Sequence, residues 1–243
     1  MSQSKSTLQA VTSIWNDLSE ETRRQELSHW RGVGMWSDDE KWLLIGKSSL
    51  KKLKKLNAYL GKTDDSLKNM TVLEWGTGGG SNAIAFSKVA QKYYGVDISK
   101  KNLDEVVRQC KKENIKDYFV PIPLTGEPKS ILNDVKFKID FFLSTAVFQH
   151  FPSKEYGVNV LKTVAQICKQ NAFCIIQIRF DNGNPKFSAI KDITDYQDKY
   201  LTATSYELSE FWNIAEKLNF EPHFVAGISS KTNYATFYMT YLG

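Results

Sequence analysis

The densest concentration of chemistry in this sequence is Val72-Leu-Glu-Trp-Gly-Thr-Gly-Gly-Gly-Ser-Asn82. A short apolar run carries Glu74 near its end and passes into Gly76, Thr77, Gly78, Gly79 and Gly80, and a helical pattern opens at Ser81. Glycines let a chain turn tightly and let a ligand approach with no Cβ in the way, and the helix start beyond offers unpaired N–H groups. Phosphate and dinucleotide sites use the same device. The dinucleotide fingerprint, however, needs glycine or alanine where Ser81 stands, and Glu74 would repel a pyrophosphate. A ligand with an ammonium or sulfonium group would be attracted by that carboxylate. Asp97, at the end of the next β-like run, is placed to accept hydrogen bonds from both ribose hydroxyls of an adenosine; a cap for the helix after Ser99 is the alternative.

A second candidate region is Leu143-Ser-Thr-Ala-Val-Phe-Gln-His-Phe-Pro152. His150 titrates near neutrality and could take a proton from an attacking hydroxyl or amine, or it could brace the helix that follows. Arg179-Phe-Asp-Asn-Gly-Asn-Pro-Lys186 begins a long insertion reaching about Tyr200. Such loops commonly carry specificity, so Arg179 or Asp181 is a candidate contact to a substrate. Trp30, Trp36 and Trp42, with His29 and Lys47, could line an apolar pocket or clamp a carboxylate, or simply pack as core; Trp36 is the candidate for the substrate side.

The elements that must position these residues alternate. β-like runs are expected at 71–75, 93–96, 118–122, 139–143 and 173–178, with helices over 81–92, around Leu103–Cys110, and from an N-cap at Ser153 through Cys168. Thr204 with Glu207 predicts a capping box that opens a further helix. Two strands, roughly 220–226 and 234–242, close the chain with no helix between them. Strands alternating with helices imply a mostly parallel sheet covered on both faces, and the closing hairpin adds an antiparallel strand. Residues 1–65 show helical stretches and no strand signal, and read as a helical N-terminal lid, with a polar linker at 61–68 leading into a domain over 66–243.

This pattern resembles the class I S-adenosylmethionine-dependent methyltransferases. Glu74-x-Gly76-x-Gly78-x-Gly80 with Asp97 is similar to that family's motif I and its companion acid, and the closing hairpin is a feature the family uses. The resemblance implies a Rossmann-like seven-stranded sheet with S-adenosylmethionine over the glycine loop and S-adenosylhomocysteine as product. By that resemblance Gly76, Thr77, Gly78, Gly80, Ile98 and Ser144 border the cofactor, Asp97 holds its ribose and Glu74 orders its methionine end. The segment after the third strand, Val120-Pro-Ile-Pro-Leu-Thr125, departs from the family by lacking an acid or amide for the adenine. The Asp/Asn-Pro-Pro-aromatic tetrapeptide of amino-directed nucleic-acid enzymes is absent, so the expected acceptor is an oxygen or nitrogen of a small molecule, such as a specialised metabolite. An RNA or protein methyltransferase and a non-catalytic cofactor-binding partner subunit are the rival readings.

Bulk composition agrees with an ordinary folded protein. Of 243 residues, 42% are hydrophobic and 24% charged, and the excess of 32 Lys plus Arg over 27 Asp plus Glu is a modest +5. Nucleic acid is therefore not the expected partner. The cluster Lys51, Lys52, Lys54 and Lys55 reads as the solvated face of a helix whose other side carries Leu50, Leu53 and Leu60. Cys110, Cys168 and Cys174 have no metal spacing and predict reduced, buried thiols; no metal is expected. Without a signal-peptide pattern or membrane span, the expected location is the cytoplasm, and nothing in the sequence commits the chain to an oligomer.

Overall fold

The computed structural model describes residues 2–17 and 19–243, with side chains from residue 9 onward. Seven strands form a sheet in the order β3-β2-β1-β4-β5-β7-β6, and the chain divides into two compact units, residues 15–125 and residues 1–14 with 126–243.

In the first unit β1 (Met70–Trp75), β2 (Ala90–Asp97) and β3 (Phe119–Pro123) run parallel. Every residue of β1 is buried, as a strand covered on both faces requires. The helix expected over 81–92 is shorter: α4 covers Ser81–Phe86, and the ladder takes Ala90 onward, pairing Met70 with Ala90 and Thr71 with Lys92. Pairing with β1 outweighs the local helical spacing of Val89 and Ala90. The apolar register after Asp97 does form α5 (Lys100–Lys112), which buries Leu103, Val106 and Cys110 and places Lys111 and Lys112 against the negative end of the helix.

Residues before the sheet are helical: α1 (Ser2–Trp15), α2 (Glu21–Leu27) and α3 (Asp39–Tyr59), with 3-10 turns at Gly34–Trp36 and Asp64–Leu67. Asp38 caps α3 by accepting from the Glu40 and Lys41 amides at 2.8 and 3.2 Å. The helix buries Trp42, Gly46, Ser49, Leu53 and Leu56 at helical spacing and keeps Lys51, Lys54 and Lys55 in water. Its crossing with α4 is made by Gly46. The Ser81 hydroxyl donates to the Trp42 carbonyl at 2.7 Å and accepts from the Gly46 amide at 3.0 Å. A Cβ on Gly46 would collide with the Ser81 carbonyl.

The second unit holds β4 (Ile139–Ser144) parallel to β5 (Cys168–Arg179), with β7 (Tyr234–Tyr241) antiparallel between β5 and β6 (Phe220–Ser229). Ser153 caps α6 (Lys154–Ile167), its hydroxyl accepting from the Tyr156 amide at 3.1 Å. The helix stops one residue earlier than its apolar pattern suggests, because Cys168 already pairs with Ile139. The expected Thr204 capping box is displaced: α8 (Leu208–Lys217) is capped by Glu207 with Glu210. Thr204 is buried instead and donates to the Phe151 carbonyl at 2.6 Å. All three cysteines are buried and none is in a disulfide.

Gly46→Ala is expected to destabilise the protein by about 1–2 kcal/mol. Overpacking against a backbone carbonyl typically costs ~1–3 kcal/mol, more than the ~1 kcal/mol helix-propensity gain. Gly126→Ala, where nothing lies within 4 Å of the added carbon, should be neutral to slightly stabilising. Urea midpoints of the two variants check the contrast; an upward shift for Gly46→Ala would show that the crossing opens readily.

Candidate active site

The turn between β1 and α4 is built on three glycines with positive φ, Gly76 at 80°, Gly78 at 48° and Gly80 at 88°, a region that side chains rarely adopt. Asp97, at the tip of β2, holds this turn. Its Oδ2 accepts from the Gly78 amide at 3.1 Å and from the Thr77 hydroxyl at 3.5 Å, and its Oδ1 accepts from the Ser99 amide at 2.9 Å and from Asn102 at 3.2 Å. Burial pushes the Asp97 carboxyl upward while these bonds pull it down. The Ser99 amide it holds is that of the N-cap position of α5. Ile98 beside it is half-buried, and its carbonyl accepts from Asn16 at 3.4 Å.

The glycines also make room for the protein's own chain. The Ser28 carbonyl accepts from the Gly79 amide at 2.6 Å. A Cβ on Gly78 would stand 2.5 Å from the Ser28 oxygen, and one on Gly79 would collide with the His29 oxygen. Ligand approach alone is thus an incomplete reason for this glycine run; a strap of residues 28–31 passes over it. His29 takes φ 58° to do so, and burial lowers its imidazole to about 4, keeping it neutral. Arg31 pins the strap, with both Asp39 oxygens and Glu113 at 2.7 Å and the Trp42 ring 5.1 Å away.

The strap explains the tryptophans. Trp42 is buried and donates to the His29 carbonyl at 2.7 Å, Trp30 to Asn102 at 2.8 Å, and Trp36 to the Glu26 carbonyl at 2.8 Å. Trp36 is half-buried, packed edge-on against His29 at 4.6 Å between ring centroids. All three indoles hold the strap and its supports together. Lys47 is exposed.

Glu74 lies beneath the turn, 2% exposed. Asn82 donates to one oxygen at 2.5 Å and Tyr93 to the other at 2.7 Å. Burial raises its carboxyl to about 8 against these bonds, so near neutral pH Glu74 is largely uncharged and both its oxygens are engaged by the chain itself. It braces the β1–α4 turn from below.

In the second unit Ser144 ends β4, fully buried. Ala146 takes φ 57° just after it, with its amide donating to Gln177 at 3.1 Å. His150 follows in a 3-10 turn, its Nδ1 2.8 Å from the Tyr200 carbonyl and its Nε2 3.1 Å from the Gln149 amide nitrogen. Tyr196 donates to the His150 carbonyl at 2.7 Å and the Thr204 amide to the Gln149 carbonyl at 3.0 Å, so the insertion after β5 is stitched to this turn. Arg179 ends β5 and donates to the Tyr234 hydroxyl at 3.0 Å, and Gln149 reaches the same hydroxyl at 3.1 Å. Asp181 turns to the Gly183 amide at 2.9 Å. His223 lies on β6 against Thr240. Gln149 falls within the candidate segment after β4, whereas Tyr234 carries no signal of its own in the sequence; only the β5–β7 register, which sets it opposite Arg179, reveals it.

The raised carboxyl of Glu74 gives a signed pH dependence. A folded-state value of about 8 against an ordinary 4.5 means the native state keeps a proton that the unfolded chain releases. The contribution is therefore present at low pH and lost as pH rises through about 8. Glu74→Gln, an uncharged isostere, should gain stability relative to the parent as pH rises from 5 to 8. Denaturant midpoints of both proteins across that range measure it, and a flat difference would mean Glu74 is ionised throughout.

A description of the methyltransferase domain matches residues 47–223. Over 115 residues the chain is 29% identical to the ubiquinone biosynthesis O-methyltransferase of Pelagibacter ubique, a match covering 47% of this chain and 44%, less than half, of that protein. The magnesium protoporphyrin IX methyltransferase of Synechocystis with bound SAM shares the fold at TM-score 0.64 and 16% identity, over 96% of each chain. A SAM-dependent methyltransferase from Aquifex aeolicus is similar at TM-score 0.54 and 20% identity, over 79% of this chain and 88% of that one. A turn with three positive-φ glycines, an acid at the tip of the next strand, and a domain match over most of the chain agree, and the chain belongs to the methyltransferase-domain family.

Proposed function

We propose that the enzyme methylates an oxygen or nitrogen of a small molecule. The observation that carries this reading is the Asp97 carboxylate held against the glycine turn at the carboxyl end of β2. In open α/β sheets ligands bind at that edge. A carboxylate has about four acceptor positions, and the contact from Thr77 at 3.5 Å is at the outer limit of a hydrogen bond. One position is therefore only weakly held, which fits a ribose hydroxyl. Gly76, Thr77, Gly78, Gly80 and Ile98 would border the adenosyl group from the same turn. Glu74 would act through the turn it braces.

S-adenosylmethionine supplies a methyl group already activated on a sulfonium, so the protein's task is to bind, orient and exclude water. His150 supports that division of labour. A carbonyl can only accept, so Nδ1 carries a proton toward Tyr200, and Nε2 faces the Gln149 amide nitrogen. To act as a base the ring would first have to release Gln149. These bonds favour His150 as a positioning residue that fixes the turn after β4. The sequence match to the ubiquinone biosynthesis O-methyltransferase of Pelagibacter ubique supports a small-molecule acceptor.

Asp97→Ala should weaken S-adenosylmethionine binding by about 1–3 kcal/mol by leaving ribose hydroxyls unpaired, roughly ten- to hundredfold in Kd. Isothermal titration calorimetry checks it, with melting temperature read alongside because Asp97 also holds Gly78 and Ser99. Unchanged affinity would remove Asp97 from the site.

A further inference from the structure

The end of β5 carries a cation, Arg179, with no counter-ion among the described residues. Arg179 stands opposite Tyr234 across the β5–β7 ladder. The corner is fixed by Asn233 at φ 50°, whose carbonyl accepts from the Phe180 amide at 2.7 Å and whose side chain donates to the Phe180 carbonyl at 3.1 Å. The guanidinium lies 4.9 Å from the Phe187 ring and 4.7 Å from the Tyr234 ring. Its Nε is shut off from solvent and has no partner. Among the described residues no carboxylate pairs with Arg179, and the nearest in sequence, Asp181, is turned to Gly183.

The protons of the neighbouring network sharpen this. His150 donates through Nδ1 to the Tyr200 carbonyl, so its Nε2 accepts from Gln149. The same Gln149 nitrogen reaches the Tyr234 oxygen, which also receives Arg179. Tyr234 therefore accepts twice, and its own proton meets no acceptor among the described residues. An unspent phenol proton, an unspent guanidinium N–H and a positive charge stand together between aromatic rings. A buried donor left without a partner costs free energy, and the planar fork of arginine matches a carboxylate.

We propose that the methyl acceptor carries a carboxylate, which binds the Arg179 guanidinium and accepts a hydrogen bond from the Tyr234 hydroxyl, so that the substrate class is small hydroxy or amino acids with a free acid group. This rests on the small-molecule reading above. The test uses the full chain saturated with S-adenosylhomocysteine and titrated calorimetrically with benzoate and with benzamide as fragment probes. Benzoate should bind at least tenfold more tightly than benzamide. Arg179→Gln should lose that preference at least tenfold, Arg179→Lys should recover part of it, and Tyr234→Phe should lower it severalfold, all with S-adenosylhomocysteine affinity unchanged. Melting temperatures confirm folding, and Tyr234→Phe, which removes one oxygen, decides the matter if Arg179→Gln does not fold. Equal behaviour of the two probes, no binding of either, or an Arg179→Gln protein that still prefers benzoate would overturn the assignment. So would inorganic phosphate displacing benzoate at equal concentration, which would assign the site to a phosphorylated ligand. Failure of the parent chain to bind S-adenosylhomocysteine would instead strike the methyltransferase reading itself.

Discussion

A carboxylate and a carbonyl hold the glycine turn by adjacent amides. Asp97 takes the Gly78 N–H and Ser28 takes the Gly79 N–H. A glycine run has the largest conformational entropy to lose on folding, so a turn of this composition needs such external holds to keep one shape. The supports form a continuous set: Asn102 joins Asp97 to Trp30, Trp42 joins the His29 carbonyl to α3, and Arg31 ties the strap to Asp39 and Glu113. Glu74 with Asn82 and Tyr93 closes the set from beneath. The N-terminal helices of this unit thus serve the turn by fixing the strap that crosses it.

Two carboxyl groups on neighbouring strands meet different ends in this arrangement. Both are buried, and burial raises both. Asp97 receives four donors, two of them backbone amides, which favour its charged form. Glu74 receives two side-chain donors and rises to about 8. A strand tip beside a helix start supplies free amides, whereas a mid-sheet position has its amides spent on the ladder. Backbone position therefore separates an acid held by turn amides from one held only by side chains.

The second unit shows how antiparallel pairing of strands distant in sequence can bring chemistry together. Antiparallel pairing puts directly opposed side chains on the same face, so ending β5 at Arg179 and beginning β7 at Tyr234 brings a cation and a phenol together without any local sequence motif. The insertion between them supplies Phe187, Tyr196 and Tyr200, each bonded or packed onto the Arg179 or His150 side of this cluster.

Sequence alone determined the alternation of strands and helices, the glycine turn, the acid at the tip of β2, the Ser153 cap and the closing hairpin. Each is a local pattern, set by side-chain period, turn conformation or a cap within four residues. Only the tertiary structure decided the rest. It shortened α4 because β1 needed a partner, moved the α8 cap to Glu207 because Thr204 was drawn to Phe151, and gave Gly79 a strap to admit. It buried Glu74 and paired Arg179 with Tyr234. Those outcomes depend on residues up to 55 positions apart, and contacts closed by long loops leave no periodic trace in the chain that makes them.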